Sequence, residues 1–181
     1  MSIFPTASGE VQSDEWKYAG IGGWLILPVI GLWITPLAQI ILIATNFVPL
    51  FTRGAWTVLT TPGTAAYHPM WAPLLIFELG MKFVIIAADI YLLVLLHRRS
   101  PLFPKGMILF LLATFLLLGT DYFFSLTIPY IAAQQDRQGA REFMRSGVAC
   151  IIWIPYFVYS KRVKATFRPP LPAAPSPAPM E

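Results

Sequence analysis

The sequence predicts an all-α membrane protein, a bundle of four transmembrane helices with both termini in the cytoplasm. Three observations lead there. Of the 181 residues, 56% are apolar and only 12% charged, the latter about half the ~25% usual in soluble domains, and the mean hydropathy is +0.64. Four stretches approach or reach the length a helix needs to cross ~30 Å of hydrocarbon at ~1.5 Å per residue. The Lys and Arg side chains gather in alternate connections. A soluble fold of this size would leave much of its apolar surface in water, so the bilayer is the partner the composition implies. The excess of 13 Lys+Arg over 9 Asp+Glu is small and patchy, which argues against nucleic acid.

Residues 1–19 read as a polar N-terminal segment. Glu10, Asp14 and Glu15, with no early Lys or Arg, are the wrong start for a secretory signal peptide, so the first hydrophobic segment is expected to be retained. Residues 20–168 form the transmembrane domain, with helices expected at about 24–47, 71–96, 106–130 and 143–159. None of these runs alternates polar and apolar as barrel strands do, and in lipid a helix satisfies its own backbone. Pro28 and Pro36 are expected to bend the first helix, and Pro155 the fourth, by removing a bond to the Ile151 carbonyl. The connection from about Pro49 to Pro69, rich in Thr, Gly, Pro and Ala, is expected to be irregular and external. Residues 169–181 hold six prolines between Pro169 and Pro179 and are expected to be an extended, disordered tail.

Orientation follows from Lys and Arg near the helix ends. Lys17, Arg98, Arg99, Lys105, Lys161, Arg162, Lys164 and Arg168 fall on one side of a four-helix topology, against Arg53, Arg137, Arg141 and Arg145 on the other. The first set marks the cytoplasmic face. Trp16, Tyr18 and Trp24 suit that border, and Trp56, Tyr67, Trp71 and Tyr130 the outer one. Lys161, Arg162, Lys164 and Arg168 read as a cytoplasmic anchor. A short amphipathic extension on anionic lipid, at about 1 kcal/mol per basic residue, or a dock for a cytoplasmic partner, are the alternatives.

The second segment carries the most information. At 100° per residue, Lys82 lies 40° and Asp89 about 20° from Glu78, so all three share one stripe, with Glu78 and Lys82 in the favourable order for an ion pair. Fifteen Leu, Ile, Val and Phe favour insertion by on the order of 4 to 9 kcal/mol, and three central charges oppose it by roughly 8 to 10 kcal/mol. The helix is marginal alone and must turn its stripe inward. Asp121 in the third segment lies at a depth like that of Glu78, and Arg145 slightly nearer the outer surface. Glu78, Lys82, Asp121 and Arg145 are therefore expected to form a buried charged cluster in the outer half, with Asp89 deeper. Three acids face two bases, leaving one acid to be protonated or partnered elsewhere. The cluster serves either to pair charges and set helix packing, or as a proton relay or polar-solute site.

Catalytic signatures are lacking. There is no H-E-x-x-H, G-x-S-x-G or P-loop. His68 and His97 belong to opposite faces and cannot share a metal. The single cysteine, Cys150, has neither histidine at its depth and reads as packing. No cofactor and no metal site are expected. Gly20, Gly22 and Gly23 follow no strand and read as a tight bend with close approach where the chain enters the membrane.

The sequence resembles the bacterial inner-membrane family known as domain of unknown function 2569. The likeness rests on Gly20 to Leu25, Phe77-Glu78-Leu79, Pro101-Leu102-Phe103-Pro104, Asp121 and Arg145-Ser146. Above all it rests on the long block from Ile151 to Phe167, and it spans roughly residues 16 to 168. The resemblance implies a four-helix, multi-pass inner-membrane protein and no established activity. Lys82 stands where the family pattern implies a neutral polar residue, often Asn.

The expected function is that of a non-catalytic accessory or interaction subunit, meeting a membrane-protein partner or another copy of itself. The alternative is a small proton-coupled or polar-solute transporter built on Glu78, Lys82, Asp89 and Asp121. No inverted repeat is visible to build a midplane transport site.

Overall fold

The computed structural model describes residues 22–133 and 137–167, the side chain of Arg137 excepted. The segment 1–19 with its border residues Trp16, Lys17 and Tyr18, the anchor residue Arg168 and the Pro-rich tail lie outside the described residues. Everything regular among the described residues is helical.

Helix α1 (Gly23–Thr52) opens with a 3-10 turn at Gly23–Leu25 and runs as α-helix over Ile26–Leu42. It widens to a π-helical turn at Ile43–Phe47 and ends as α-helix over Val48–Thr52. It is longer than expected. The widened turn, in which the Val48 N–H reaches the Ile43 carbonyl, lies directly before Pro49, whose ring nitrogen has no hydrogen to give. The hydroxyls of Thr35, Thr45 and Thr52 each donate to the carbonyl four residues back, at 2.8–2.9 Å, so they need no outside partner.

The next connection is not wholly irregular. Gly54, in the left-handed region (φ +74°), turns the chain into a short helix α2 (Ala55–Thr60), and Trp56 packs on Phe51 with ring centroids 5.3 Å apart. Helix α3 (Trp71–His97) matches expectation within one residue. It is closed by Arg99 in the left-handed conformation (φ +46°) and a bond from Ser100 N–H to the Leu95 carbonyl, 3.0 Å.

Helix α4 (Phe103–Ser125) starts and ends earlier than 106–130. Pro129 disfavours helix at the residue before it, so the chain turns at residues 126–128 and restarts as α5 (Pro129–Ala133). Helix α6 (Arg137–Tyr159) begins six residues before Phe143, because hydropathy sees only the apolar part of a helix that starts in polar sequence. After Ser160, whose hydroxyl accepts from Val163 N–H at 3.4 Å, comes α7 (Lys161–Thr166).

Each long helix packs on the next, α1 on α3, α3 on α4, and α4 most extensively on α6. Helices α1, α3 and α4 are long and apolar enough to cross a membrane. Their outward faces are apolar, with Ile34, Leu37, Ile76, Val84, Leu109 and Leu116 all exposed. At the end where the basic residues gather, Leu25, Leu32, Leu92, Leu96, Phe103, Met107 and Phe157 form a core that also takes in Val163 and Phe167. Helix α7 thus folds back and closes that end. Its Lys161 and Lys164 are exposed, while Arg162 lies against Gly22, where a Cβ would meet its Nη1 at 2.7 Å. The close approach expected at these glycines is made by a guanidinium.

The α4–α6 pairing is a lock of small against large. Gly119 faces Phe143, and Gly147 faces Phe115, whose ring stacks on Phe143 at 5.0 Å. Cys150 Sγ donates to the Leu111 carbonyl at 3.3 Å, tying the thiol into the same seam. A Cβ at Gly119 would lie 2.9 Å from Phe143 Cε2. The ring is contacted also by Tyr122 (6.0 Å) and Phe123 (5.8 Å), so any shift of it disturbs both. Alanine there gains about 0.8–1 kcal/mol of helix propensity, which offsets much of the clash. Gly119→Leu is expected to lower unfolding stability by about 1–3 kcal/mol, read in detergent micelles by denaturant titration. A neutral result would show that the two helices separate freely.

Candidate functional site

The inward stripe of α3 builds the site. Lys82 Nζ lies 3.1 Å from Glu78 Oε1, one turn earlier on the same helix. On its other side it stands 5.8 Å from the centroid of the Phe47 ring, on the widened turn of α1. Lys82 is 6% exposed, whereas the Glu78 side chain is 29% exposed. That difference has a cause: Glu78 opens onto a cavity of about 360 Å³ at the end of the protein away from α7.

Four helices supply polar groups to this cavity. Helix α1 contributes Asn46, α3 contributes Glu78 and Lys82, α4 contributes Asp121 and Ser125, and α6 contributes Gln138 and Glu142. Trp71, Leu74 and Leu50 form apolar walls. Ser125 donates within its own helix to the Tyr122 carbonyl at 2.7 Å, and Gln138 Nε2 donates to Glu142 Oε1 at 3.2 Å. Among the described residues the lining carries three carboxyl groups and one ammonium. Among the same residues, no group of three or more His, Cys, Asp or Glu is placed to hold a metal ion.

The expected cluster is therefore assembled in part. Glu78, Lys82 and Asp121 meet in the cavity. Asp89 lies two turns further along α3, wholly buried and outside the cavity lining. Arg145 does not join them: it is exposed and absent from the lining. Its depth is suitable but its direction is not. Gly147 faces α4, and Arg145, two residues earlier, lies about 160° round the helix from it.

Asn46, Gln138, Glu142 and the Phe47 ring are site residues that sequence reasoning missed. Asn46 had a signal, as an amide isolated in an apolar run. Gln138 and Glu142 had a weaker one, an i,i+4 polar pair just before an apolar segment. Of the anchor residues, Lys161 and Lys164 face outward, while Arg162 is half-buried over Gly22 and Gly23.

Residues 18–168 match the family described as Protein of unknown function (DUF2569). The chain belongs to this family. The match takes in every helix from α1 to α7, and with them the whole cavity lining of this DUF2569 protein. No curated protein and no solved structure matches the chain.

Proposed function

We propose that this DUF2569 protein is a non-catalytic, multi-pass bacterial inner-membrane protein with four spans and both termini in the cytoplasm. We propose further that its outer cavity takes up a small polar solute. Helix α6 supplies the fourth span. Its apolar part, 143–159, covers about 25 Å, slightly less than the ~30 Å of hydrocarbon, and it runs alongside α4. The concentration of Arg98, Arg99, Lys105, Lys161, Arg162 and Lys164 at the α7 end supports a cytoplasmic location for that end.

One observation carries the solute reading. The buried ion pair lies within a single helix, so it fastens no two helices together, and its carboxylate opens onto the cavity. A pair retained only for packing would bridge helices and be sealed. The oxygens of Glu78, Asp121 and Glu142 suit a ligand with ammonium or other N–H donors, and Lys82 suits a carboxylate on the same molecule. Small amines and zwitterions are thus the class to test. In a thermal-shift screen of the purified protein, at least one such compound is expected to raise Tm. Asp121→Asn and Glu142→Gln are expected to weaken its binding at least tenfold while eluting as folded protein. Shifts that survive both substitutions, or no shift with any compound, would overturn this reading.

An accessory-subunit role is favoured by a different feature. An apolar groove lined by Phe77 of α3, by Phe115, Phe123, Gly119 and Thr120 of α4, and by Phe143 of α6 lies where these three helices meet. It suits a partner transmembrane helix. Gentle native extraction with mass spectrometry would then yield a stoichiometric membrane partner. A lone chain or homo-oligomer would remove this second reading.

A further inference from the structure

Arg141 and Arg145 of α6 are used by neither role above. Phe143 and Gly147 seat α6 on α4, and at 100° per residue each arginine lies about 160° round the helix from one of them. Both arginines are exposed. Among the described residues neither guanidinium has an ion-pair or hydrogen-bond partner. The same helix arithmetic sets Val148 and Ile152, 52% and 50% exposed, within about 60° of the two arginines. The face of α6 turned away from α4 is thus a pair of cations followed by an apolar strip.

Two like charges one turn apart repel, and an unpaired arginine within hydrocarbon is costly. Along α6, Arg145 stands about 21 Å from Tyr159, so its backbone lies inside a hydrocarbon layer of ~30 Å. Helical side chains lean toward the N-terminus of their helix. For α6 that is the cavity end, where Gln138 and Glu142 line the cavity. Both guanidiniums are therefore carried toward the headgroup level of that leaflet, over their own apolar stems.

We propose that this face of α6 binds an anionic phospholipid of the leaflet at the cavity end, the two guanidiniums gripping its phosphate and its acyl chains lying along Val148 and Ile152. A guanidinium presents paired N–H donors that match phosphate oxygens, and one phosphate shared by both arginines replaces their repulsion with attraction. A headgroup without an ammonium of its own fits best. Glu142, the nearest acid in sequence, lines the cavity and accepts from Gln138, so no carboxylate is left over for a second cation.

A second copy of the chain is a poorer occupant. Among the described residues the acids are Glu78, Asp121 and Glu142, which line the cavity, and Asp89, which is buried. None is turned outward to meet an arginine. A partner helix would have to carry its own acid into hydrocarbon, whereas phosphate stands at the headgroup level of every phospholipid bilayer. The proposal rests on the reading of α6 as a span and is independent of what the cavity takes up.

Native mass spectrometry of the delipidated full chain, mixed with phosphatidylglycerol or with phosphatidylethanolamine of the same acyl chains, tests it. The wild type should retain phosphatidylglycerol at least tenfold better than Arg141→Gln/Arg145→Gln, and better than it retains phosphatidylethanolamine. Arg53→Gln, which removes an exposed cation of the α1–α2 turn, should match the wild type. Equal retention by wild type and double variant, or an equal loss with Arg53→Gln, overturns the proposal. Displacement of the lipid by inorganic phosphate overturns it too and would make this a free-phosphate site, as would a co-purified chain lost on Arg145→Gln, which would make the face a protein interface. A membrane-impermeant maleimide separates this from the four-span reading. Val148→Cys in a Cys150→Ser background should resist it in membranes opened to both sides, and labelling would show that α6 lies in water and remove the fourth span. Protection without preferential lipid retention removes the lipid site alone.

Discussion

Glu78→Gln is expected to destabilise the protein by about 2–4 kcal/mol, Lys82→Met by less, and the double substitution by less than Glu78→Gln alone. Removing one partner of a buried ion pair costs about 3–5 kcal/mol, because the remaining charge is left desolvated, while removing both is often near neutral. The two singles differ because their surroundings differ. Lys82 reaches the cavity but is far less exposed than Glu78, so Glu78→Gln leaves a poorly hydrated ammonium beside Phe47. Glu78 faces the cavity, so after Lys82→Met its carboxylate keeps access to water. At 3.1 Å and an effective dielectric near 20, the attraction is on the order of 5 kcal/mol. The Phe47 ring adds roughly 0.5–2 kcal/mol for the cation. Polar couplings measured between membrane helices run lower, about 0.6 kcal/mol on average, which is why the expected loss is set about 1 kcal/mol below the range for broken buried pairs. Steric trapping or denaturant unfolding in micelles, run as a double-mutant cycle, gives the three values. Additive singles would show that the two side chains do not interact.

Phe103→Ala is expected to cost about 3–5 kcal/mol and to release α7. Phe103 is wholly buried, stacks on Phe167 at 4.7 Å and meets Phe157 edge-on at 6.1 Å. It is the floor on which Val163 and Phe167 rest. With the ring gone, a cavity opens where α3, α4, α6 and α7 converge, and the six-residue α7 is too short to persist without packing. Limited trypsin digestion of inverted vesicles reads the outcome directly. Cleavage after Lys161 and Lys164 should accelerate well beyond wild type, and Phe167→Ala should act in the same direction more weakly. Unchanged cleavage would mean that the segment is only a basic anchor lying on lipid, as its composition alone suggests.

These two sites mark the boundary between what was legible and what was not. Helix α3 was readable within one residue because an unbroken apolar run lies between Trp71 and the Arg98–Arg99 pair. The Glu78–Lys82–Asp89 stripe was readable because helix geometry is local arithmetic. The start of α6 was not, because its first six residues include Arg137, Gln138, Arg141 and Glu142, which hydropathy assigns to a loop. The end of α4 was misplaced because Pro129 interrupts a run that stays apolar on both sides of it. Arg145 was assigned to the cluster from its depth. Its true direction depends on Gly119 accepting Phe143 and Gly147 accepting Phe115, a match between two helices that neither helix shows alone. Asn46, Gln138 and Glu142 escaped for the same reason.

The sequence by itself determined the helical class and the depth of each charged residue along its apolar helices; it called for four spans, of which three are long and apolar enough to cross a membrane. Those properties are local: a helix in lipid must satisfy its own backbone, and each residue advances it by a constant rise. The tertiary structure alone decided which way each helix turns its polar residues, that four of them enclose one charged cavity, and that α7 caps the opposite end. Those are decided by side-chain volumes meeting across helix pairs, where lipid supplies no hydrophobic preference of its own and close packing sets the rotation.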